Sequence, residues 1–178
     1  TEIAEIAKKY GAEVPFFRSE ATSGDFATTN DVLAEVLAEY EKRDMHFDVA
    51  CCIYPTAPFV TAEKLKAAVE QLEASDADTL IPVVNFSYPP QRAMVVEQER
   101  LVFKYPEYLD SRSQDLQPHY HDVGQFYVFR TDRFAVNKKL MVGNILPLIV
   151  SELEVQDIDN LTDWKIAEMK YRLMTEEK

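Results

Sequence analysis

Glycine is scarce in this chain, at 4 of 178 residues. None of them falls into G-x-G-x-x-G or G-x-x-x-x-G-K-[ST], so neither glycine-rich phosphate loop occurs in these residues. The two cysteines are neighbours, Cys51 and Cys52. On a strand they face opposite ways, which makes them poor partners for a disulfide or a shared metal and suits a reducing cytoplasm. G-x-S-x-G is absent, and neither cysteine has the setting of a nucleophile. Lys and Arg total 19 against 31 Asp and Glu, a net charge of -12 with no basic stripe, which argues against a nucleic-acid partner. No apolar run approaches the roughly 20 residues needed to span a bilayer, and no secretory signal is recognisable, so a cytoplasmic location away from the membrane is expected.

What is present reads as one α/β domain over residues 1–178, with 47% hydrophobic and 28% charged residues. "TEIAEIAKKYGAEV" places Ile3, Ile6, Ala7 and Tyr10 on one helical face, and Gly11 stops the helix. The polar loop "FFRSEATSGDFATT" leads to "TTNDVLAEVLAEY". There Thr28 and Asp31 have capping-box spacing, and Val32, Leu33, Val36, Leu37 and Tyr40 form the apolar face. "DVACCIY" is a short apolar run of the kind buried on both faces of a parallel sheet, and the prolines of "PTAPF" end it. A helix, "TAEKLKAAVEQLEA", and a strand, "DTLIPVV", follow. Their alternation predicts a sheet built by right-handed crossovers. "RAMVVEQERLVFKY" predicts a β-hairpin turning near Glu97 to Arg100, and "GQFYVFR" another strand. "LEVQDID" is read as the last strand and "NLTDWKIAEMKYRLM" as the last helix, with Asn160 its N-cap. Nucleotide-binding folds of this kind begin on a strand and a phosphate loop, whereas this chain opens on a helix; either the fold does not bind phosphates that way or the first βαβ unit is missing from it.

Several positions carry candidate chemistry. On a strand, Asp157 and Asp159 point the same way. At the carboxyl end of a sheet such a pair suits Mg²⁺, which uses one or two carboxylates plus substrate phosphates. The plainer alternative is a salt-bridged Asp157 and an Asp159 that serves the turn into the last helix. In "IYPTAPF", Pro55 stiffens the loop while Tyr54 and Thr56 offer hydroxyls, although a strand-ending turn needs no more. Arg18 could fork onto a phosphate or simply pair with Glu20 or Asp25. "SRSQDLQPHYHDVGQFY" gathers Arg112, Gln114, Asp122, Gln125 and Tyr127, a set suited to a hydroxyl-rich or carboxylated ligand. His119 and His121 lack a third His or Cys to complete a zinc site.

The motifs "FFRSEATSGD…TT", "YPTAPF", "RSQDL…HDVGQFY" and "VQDIDN…DW", in this order across nearly the whole chain, resemble the CMP-sugar synthetases. These are cytidylyltransferases that activate nine-carbon acidic sugars. "CCIYPTAPF" and "YHDVGQFY" point to the branch that acts on pseudaminic acid. The resemblance implies a Rossmann-like nucleotide-diphospho-sugar transferase fold, with a mainly parallel sheet flanked by helices. It implies attack of the sugar's anomeric hydroxyl on the α-phosphate of CTP, with Mg²⁺ held by Asp157 and Asp159. It places Arg18, Thr29, Pro55 and Thr56 toward the nucleotide. Tyr54, Arg112, Gln114, Asp122, Gln125 and Tyr127 are placed toward the sugar. A homodimer is also implied, and 134–147, with its apolar Leu140, Met141 and Val142, is the expected dimerisation arm. The family's N-terminal loop of Arg, Gly, Ser and Lys has no counterpart here, so this chain alone is expected to be inactive. Asn160 replaces the family's usual threonine, and Val60 replaces the terminal arginine of the sialic acid motif. Alternatives are an N-acylneuraminate cytidylyltransferase, a non-catalytic sugar- or nucleotide-binding module, and a glycosyltransferase using "DID" as a D-x-D motif.

Overall fold

The computed structural model describes residues 1–176. Helix α1 (Glu2–Lys9) is capped by the Thr1 hydroxyl, and the chain leaves it through Gly11 at φ +92°. A one-turn helix α2 (Glu20–Ser23) precedes α3 (Thr29–Glu41), whose Thr28/Asp31 capping box is formed. Then come β1 (Val49–Ile53), α4 (Ala62–Glu73), capped by Thr61, and β2 (Thr79–Asn85). An antiparallel hairpin of β3 (Met94–Glu97) and β4 (Arg100–Phe103) forms its own small sheet. β5 (Tyr120–Asp122), β6 (Phe126–Arg130), α5 (Thr131–Asn137) and β7 (Ile145–Ile149) follow. The last helix is α6 (Leu161–Glu176). Its N-cap is Asn160, whose side-chain oxygen accepts from the Thr162 and Asp163 N–H groups.

The sheet is mixed, where a mainly parallel one was expected. β2 pairs parallel with β7 and antiparallel with β5 and β6, while β1 pairs antiparallel with β6. β1, β2 and β7 therefore share one direction, and β6 runs against them between β1 and β2. An apolar run shows that a strand is buried but carries no sign of its direction. Phe126 and Val128 of β6 join Ala68 and Leu72 of α4 in one core, while Tyr127 and Phe129 join Phe134 of α5 and Leu140 in another, against Leu33 and Leu37 of α3. β6 is thus the strand covered on both faces. β1 was expected to be so, but it lies at the sheet edge, with Cys51 and Ile53 exposed. Arg130 ties the α4 end to the sheet by donating to the carbonyls of Leu72, Ser75 and Ala77 at 3.0–3.1 Å, a cation on the carbonyls that close a helix.

Pro82 sits inside β2 and has no N–H to give the ladder. Its carbonyl accepts from Val123 N–H at 3.3 Å, so its missing donor faces the β5–β6 side too, because a strand residue's N–H and C=O point the same way. That is where the partner strand is broken. Thr79 faces Phe129, yet Val83 faces Asp122, where an unbroken register would put Gln125. The extra residues bulge at Val123–Gln125 around Gly124, which takes φ +62°.

Three further expectations change. Residues 155–158 form no strand: the place beside β2 belongs to β7, and the chain then turns through a 3₁₀ turn, Glu152–Glu154, capped by Ser151. Residues 134–147 do not project as an arm, because Phe134 and Leu140 are buried and Ile145 to Pro147 pair with β2. The hairpin β3–β4 is the element that stands apart, with Met94, Val96 and Leu101 exposed. On α1, Ala4 is buried while Ile3, Ile6 and Tyr10 are exposed.

Gly143, at φ +80°, lies where an added Cβ would come within 2.0 Å of the Asp78 carboxylate, which accepts from Asn144 N–H. Gly143→Ala should therefore cost about 2 kcal/mol or more from the left-handed conformation plus overpacking, measured by urea unfolding.

Candidate active site

The carboxyl ends of β1, β2 and β7 come to one edge of the sheet, where open α/β sheets place their ligands. The Tyr54–Phe59 loop leaves β1 there, and the segment 150–160 leaves β7 there. β6 begins at the same edge, and Tyr54 N–H donates to the Gln125 carbonyl at 2.9 Å.

The β5–β6 bulge turns its side chains into a hydrogen-bonded row. The Tyr127 hydroxyl donates to the Asp122 carboxylate at 2.6 Å, and the other oxygen of Asp122 accepts from Gly124 N–H at 3.0 Å. Tyr54 packs edge-on against Tyr127, with ring centroids 5.5 Å apart. The Tyr54 hydroxyl meets Thr29 Oγ1 at 2.8 Å. Burial pushes the Tyr127 phenol strongly up, and the adjacent Asp122 carboxylate adds to the shift, so Tyr127 stays a proton donor at any physiological pH. Thr29, Tyr54, Asp122 and Tyr127, four of the residues singled out in the sequence, are thereby brought together from α3, β1 and the bulge. A network that joins distant parts of the chain needs the tertiary fold to exist.

The other candidates divide. The Gln125 side chain is not open to a ligand: the residue is 1% exposed, and its Nε2 donates to the Glu154 carbonyl. Pro55 and Thr56 are exposed in the loop after β1. Arg18 donates to the Thr22 carbonyl at 2.9 Å. Ser19 and Thr22 in turn bond the Glu35 carboxylate of α3. Arg112 is exposed and pairs with Asp115 at 2.7 Å, while Gln114 lines a cavity of about 240 Å³ with Asn85 and His119. His119 and His121 form no shared site: His119 Nδ1 meets Gln91, and His121 Nδ1 meets the Asp122 carbonyl. Cys51 is exposed as a residue, yet desolvation of its thiol pushes it up to about 11, which leaves no thiolate to attack at neutral pH.

Asp157 and Asp159 are exposed, and neither carboxylate has a hydrogen-bond or ion-pair partner among the described residues; the Asp157 carbonyl and the Asp159 N–H make the hydrogen bonds instead. Ile158 between them lines an apolar pocket with Pro58, Trp164 and Ala167. Among the described residues no cluster of three or more His, Cys, Asp or Glu forms a protein cage. Two unpaired carboxylates with open space around them fit a Mg²⁺ ion that draws its remaining ligands from phosphates and water. Sequence reasoning missed Lys64 and Glu154, whose ion pair at 2.6 Å is mostly buried. Burial opposes the charge of Glu154, yet the Lys64 ammonium and the Ser151 N–H hold its carboxyl below the usual range. The capping-box spacing of Ser151 and Glu154 was legible in the chain; the lysine that meets it was not.

A family model described as cytidylyltransferase matches residues 1–142. The chain belongs to the cytidylyltransferase family. It is a nucleotidyltransferase of the CMP-sugar synthetase group. It is 31% identical to pseudaminic acid cytidylyltransferase of Campylobacter jejuni, over 97% of this chain and 75% of that protein. It is 28% identical to CMP-N,N'-diacetyllegionaminic acid synthase of Legionella pneumophila, over 98% of this chain and 76% of that protein. The fold matches a solved structure of CMP:2-keto-3-deoxy-manno-octonic acid synthetase complexed with CTP, at TM-score 0.61 and 13% identity, covering 99% of this chain and 78% of that one. Among the described residues no helix of the family's fold here is long and apolar enough to cross a membrane.

Tyr127→Phe should cost about 1.5–3 kcal/mol in urea unfolding, the range for a hydrogen bond to a charged group. The turn at Ser19–Thr22 should loosen in acid. The Thr22 hydroxyl holds the Glu35 carboxyl below its ordinary value of 4.5, so this stabilisation is present above that value and is lost as pH falls through the lower folded value. The protection factor of the Thr22 amide, taken relative to intrinsic exchange at each pH, should fall over that window, and Glu35→Gln should remove that fall.

Proposed function

We propose that this chain serves the transfer of CMP from CTP to the anomeric hydroxyl of pseudaminic acid, a nine-carbon acidic sugar. The sugar oxygen bonds to the α-phosphorus, the bond from that phosphorus to the bridging oxygen breaks, and pyrophosphate leaves; the hydroxyl proton passes to solvent. The observation that carries the reading is the end of the sheet where, in a chain of this family, the segment with two unpaired carboxylates leaves β7 and the loop with Tyr54 leaves β1. The similarity to the Campylobacter jejuni relative supports pseudaminic acid over other nine-carbon sugars.

In this reading Asp157 and Asp159 hold Mg²⁺, which when bound neutralises phosphate charge and polarises the α-phosphate. Thr29, Pro55 and Thr56 face the nucleotide, and Arg18 offers a guanidinium at the mouth of the first loop. Tyr54 and Asp122 orient sugar hydroxyls, with the buried Tyr127 holding the Asp122 carboxylate in place, while Gln114 and Arg112 approach from the loop before β5, Arg112 toward the sugar carboxylate. The reading takes the enzyme as a cytoplasmic homodimer, for which the exposed apolar side chains of the β3–β4 hairpin offer a surface.

Pyrophosphate release tests it, with CTP, Mg²⁺ and either pseudaminic acid or N-acetylneuraminic acid. The assay is run on the 178-residue chain. Release with pseudaminic acid is expected, with a loss of at least about 100-fold in Asp157→Asn or Asp159→Asn. Release with N-acetylneuraminic acid alone would replace the substrate. Absence of release with both sugars, together with undiminished CMP binding, would favour a binding module.

A further inference from the structure

The segment that carries Asp157 and Asp159 belongs to no helix or strand. Its last ladder bond is Val150 N–H to the Val83 carbonyl, and no backbone-to-backbone bond is made by 155–159 among the described residues. Two unpaired like charges in such a segment repel one another, so without other restraints it would sample many conformations. The restraints come from side chains on either side. Downstream, the Asp163 carboxylate accepts from the N–H groups of Asp159 and Asn160, both at 3.1 Å. Upstream, everything converges on Glu154 and Val155. The Lys64 ammonium of α4 meets the Glu154 carboxylate at 2.6 Å, with side-chain exposures of 18% and 24%. The other Glu154 oxygen accepts from Ser151 N–H at 3.1 Å. The Gln125 amide donates to the Glu154 carbonyl, and the Lys170 ammonium of α6 donates to the Val155 carbonyl at 2.5 Å.

Lys64 has a second bond, to the Phe59 carbonyl at 2.8 Å. Phe59 closes the loop that begins at Tyr54 and is itself 2% exposed. One ammonium therefore ties the loop after β1 to the segment after β7. A mostly buried charge with one anionic partner and one carbonyl is costly to separate, so the two loops are held as a unit.

We propose that Lys64, through Glu154, is a positioning residue for the Asp157–Asp159 pair: it sets the spacing between the carboxylate segment and the Tyr54–Phe59 loop, with Gln125 as its neutral support. This rests on the metal reading above for its consequence, but the clamp itself is a property of the chain. Lys64 touches no substrate; its effect passes through Glu154 and Phe59. Lys64→Met keeps most of the aliphatic stem and removes the charge, and Glu154→Gln keeps the shape and removes the opposite charge.

The test uses two readouts on the chain: amide exchange across 151–160, and Mn²⁺ binding followed by loss of the free-ion paramagnetic resonance signal. Lys64→Met and Glu154→Gln should each speed exchange across 151–160 at least about tenfold and weaken Mn²⁺ binding about 10–100-fold, the range for groups that orient metal ligands. Lys64→Arg, which keeps the charge, should recover most of both. Should Lys64→Met not fold, Glu154→Gln carries the same test. Lower thermal stability with unchanged exchange at 151–160 and unchanged Mn²⁺ affinity would overturn the proposal. If wild type and Asp157→Asn bind Mn²⁺ alike, the metal reading fails, and the exchange readout alone decides the clamp.

Discussion

A proline without a donor, placed in the middle of a central strand, shapes the functional end of this molecule. Pro82 cannot complete the β2 ladder on the side facing β5 and β6, and the opposing chain bulges there through Val123, Gly124 and Gln125. The bulge lets Asp122 lie within hydrogen-bond reach of the Tyr127 hydroxyl on the same strand line, and it turns the Gln125 amide toward the segment after β7. An unbroken strand would alternate these side chains between faces, and the row from Thr29 to Asp122 would not form. The site thus grows out of a local failure of regular pairing, which is where bulges commonly re-aim side chains.

β6 makes that irregularity affordable. Phe126, Tyr127, Val128 and Phe129 are all buried, two facing α4 and two facing α3 and α5. Each buried aromatic or branched side chain is worth about 1.5–3 kcal/mol, enough to hold the strand in place while its start departs from the ladder. The bond from Tyr54 N–H to the Gln125 carbonyl then joins the departing end to β1. Rigid core and irregular rim meet within a few residues, which suits a site that must hold polar groups in fixed positions.

The polar groups at this edge divide by partnership. Tyr127 satisfies Asp122, Thr29 satisfies Tyr54, and Lys64 satisfies Glu154 and the Phe59 carbonyl. Asp157 and Asp159 stand apart in having no partner for their carboxylates among the described residues. Both contribute to a net charge of -12 and have no cation of the chain to offset them among the described residues.

Much of this was legible in the chain. Local rules located α1, α3, α4, α6, β2, β6 and the β3–β4 hairpin, because caps, helical periodicity and turn positions depend on residues a few places apart. Four ordered motifs were enough to name the family, to which the family model over residues 1–142 assigns the chain. Tertiary structure decided what depends on distant neighbours. The direction of β6 followed from which strands flank it. β7 was taken for part of an arm, and the Asp157 segment for a strand, because an apolar run at 145–149 gives no sign of the β2 edge waiting for it. Gln125 looked like a ligand contact until burial put it against Glu154, and Lys64 carried no motif at all. Sequence by itself determined the helices α1, α3, α4 and α6, the strands with strong local patterns, the family and the residue types of the site; only folding, by bringing α4, the bulge and the segment after β7 to one edge, decided which of those residues face open space and which hold the others in place.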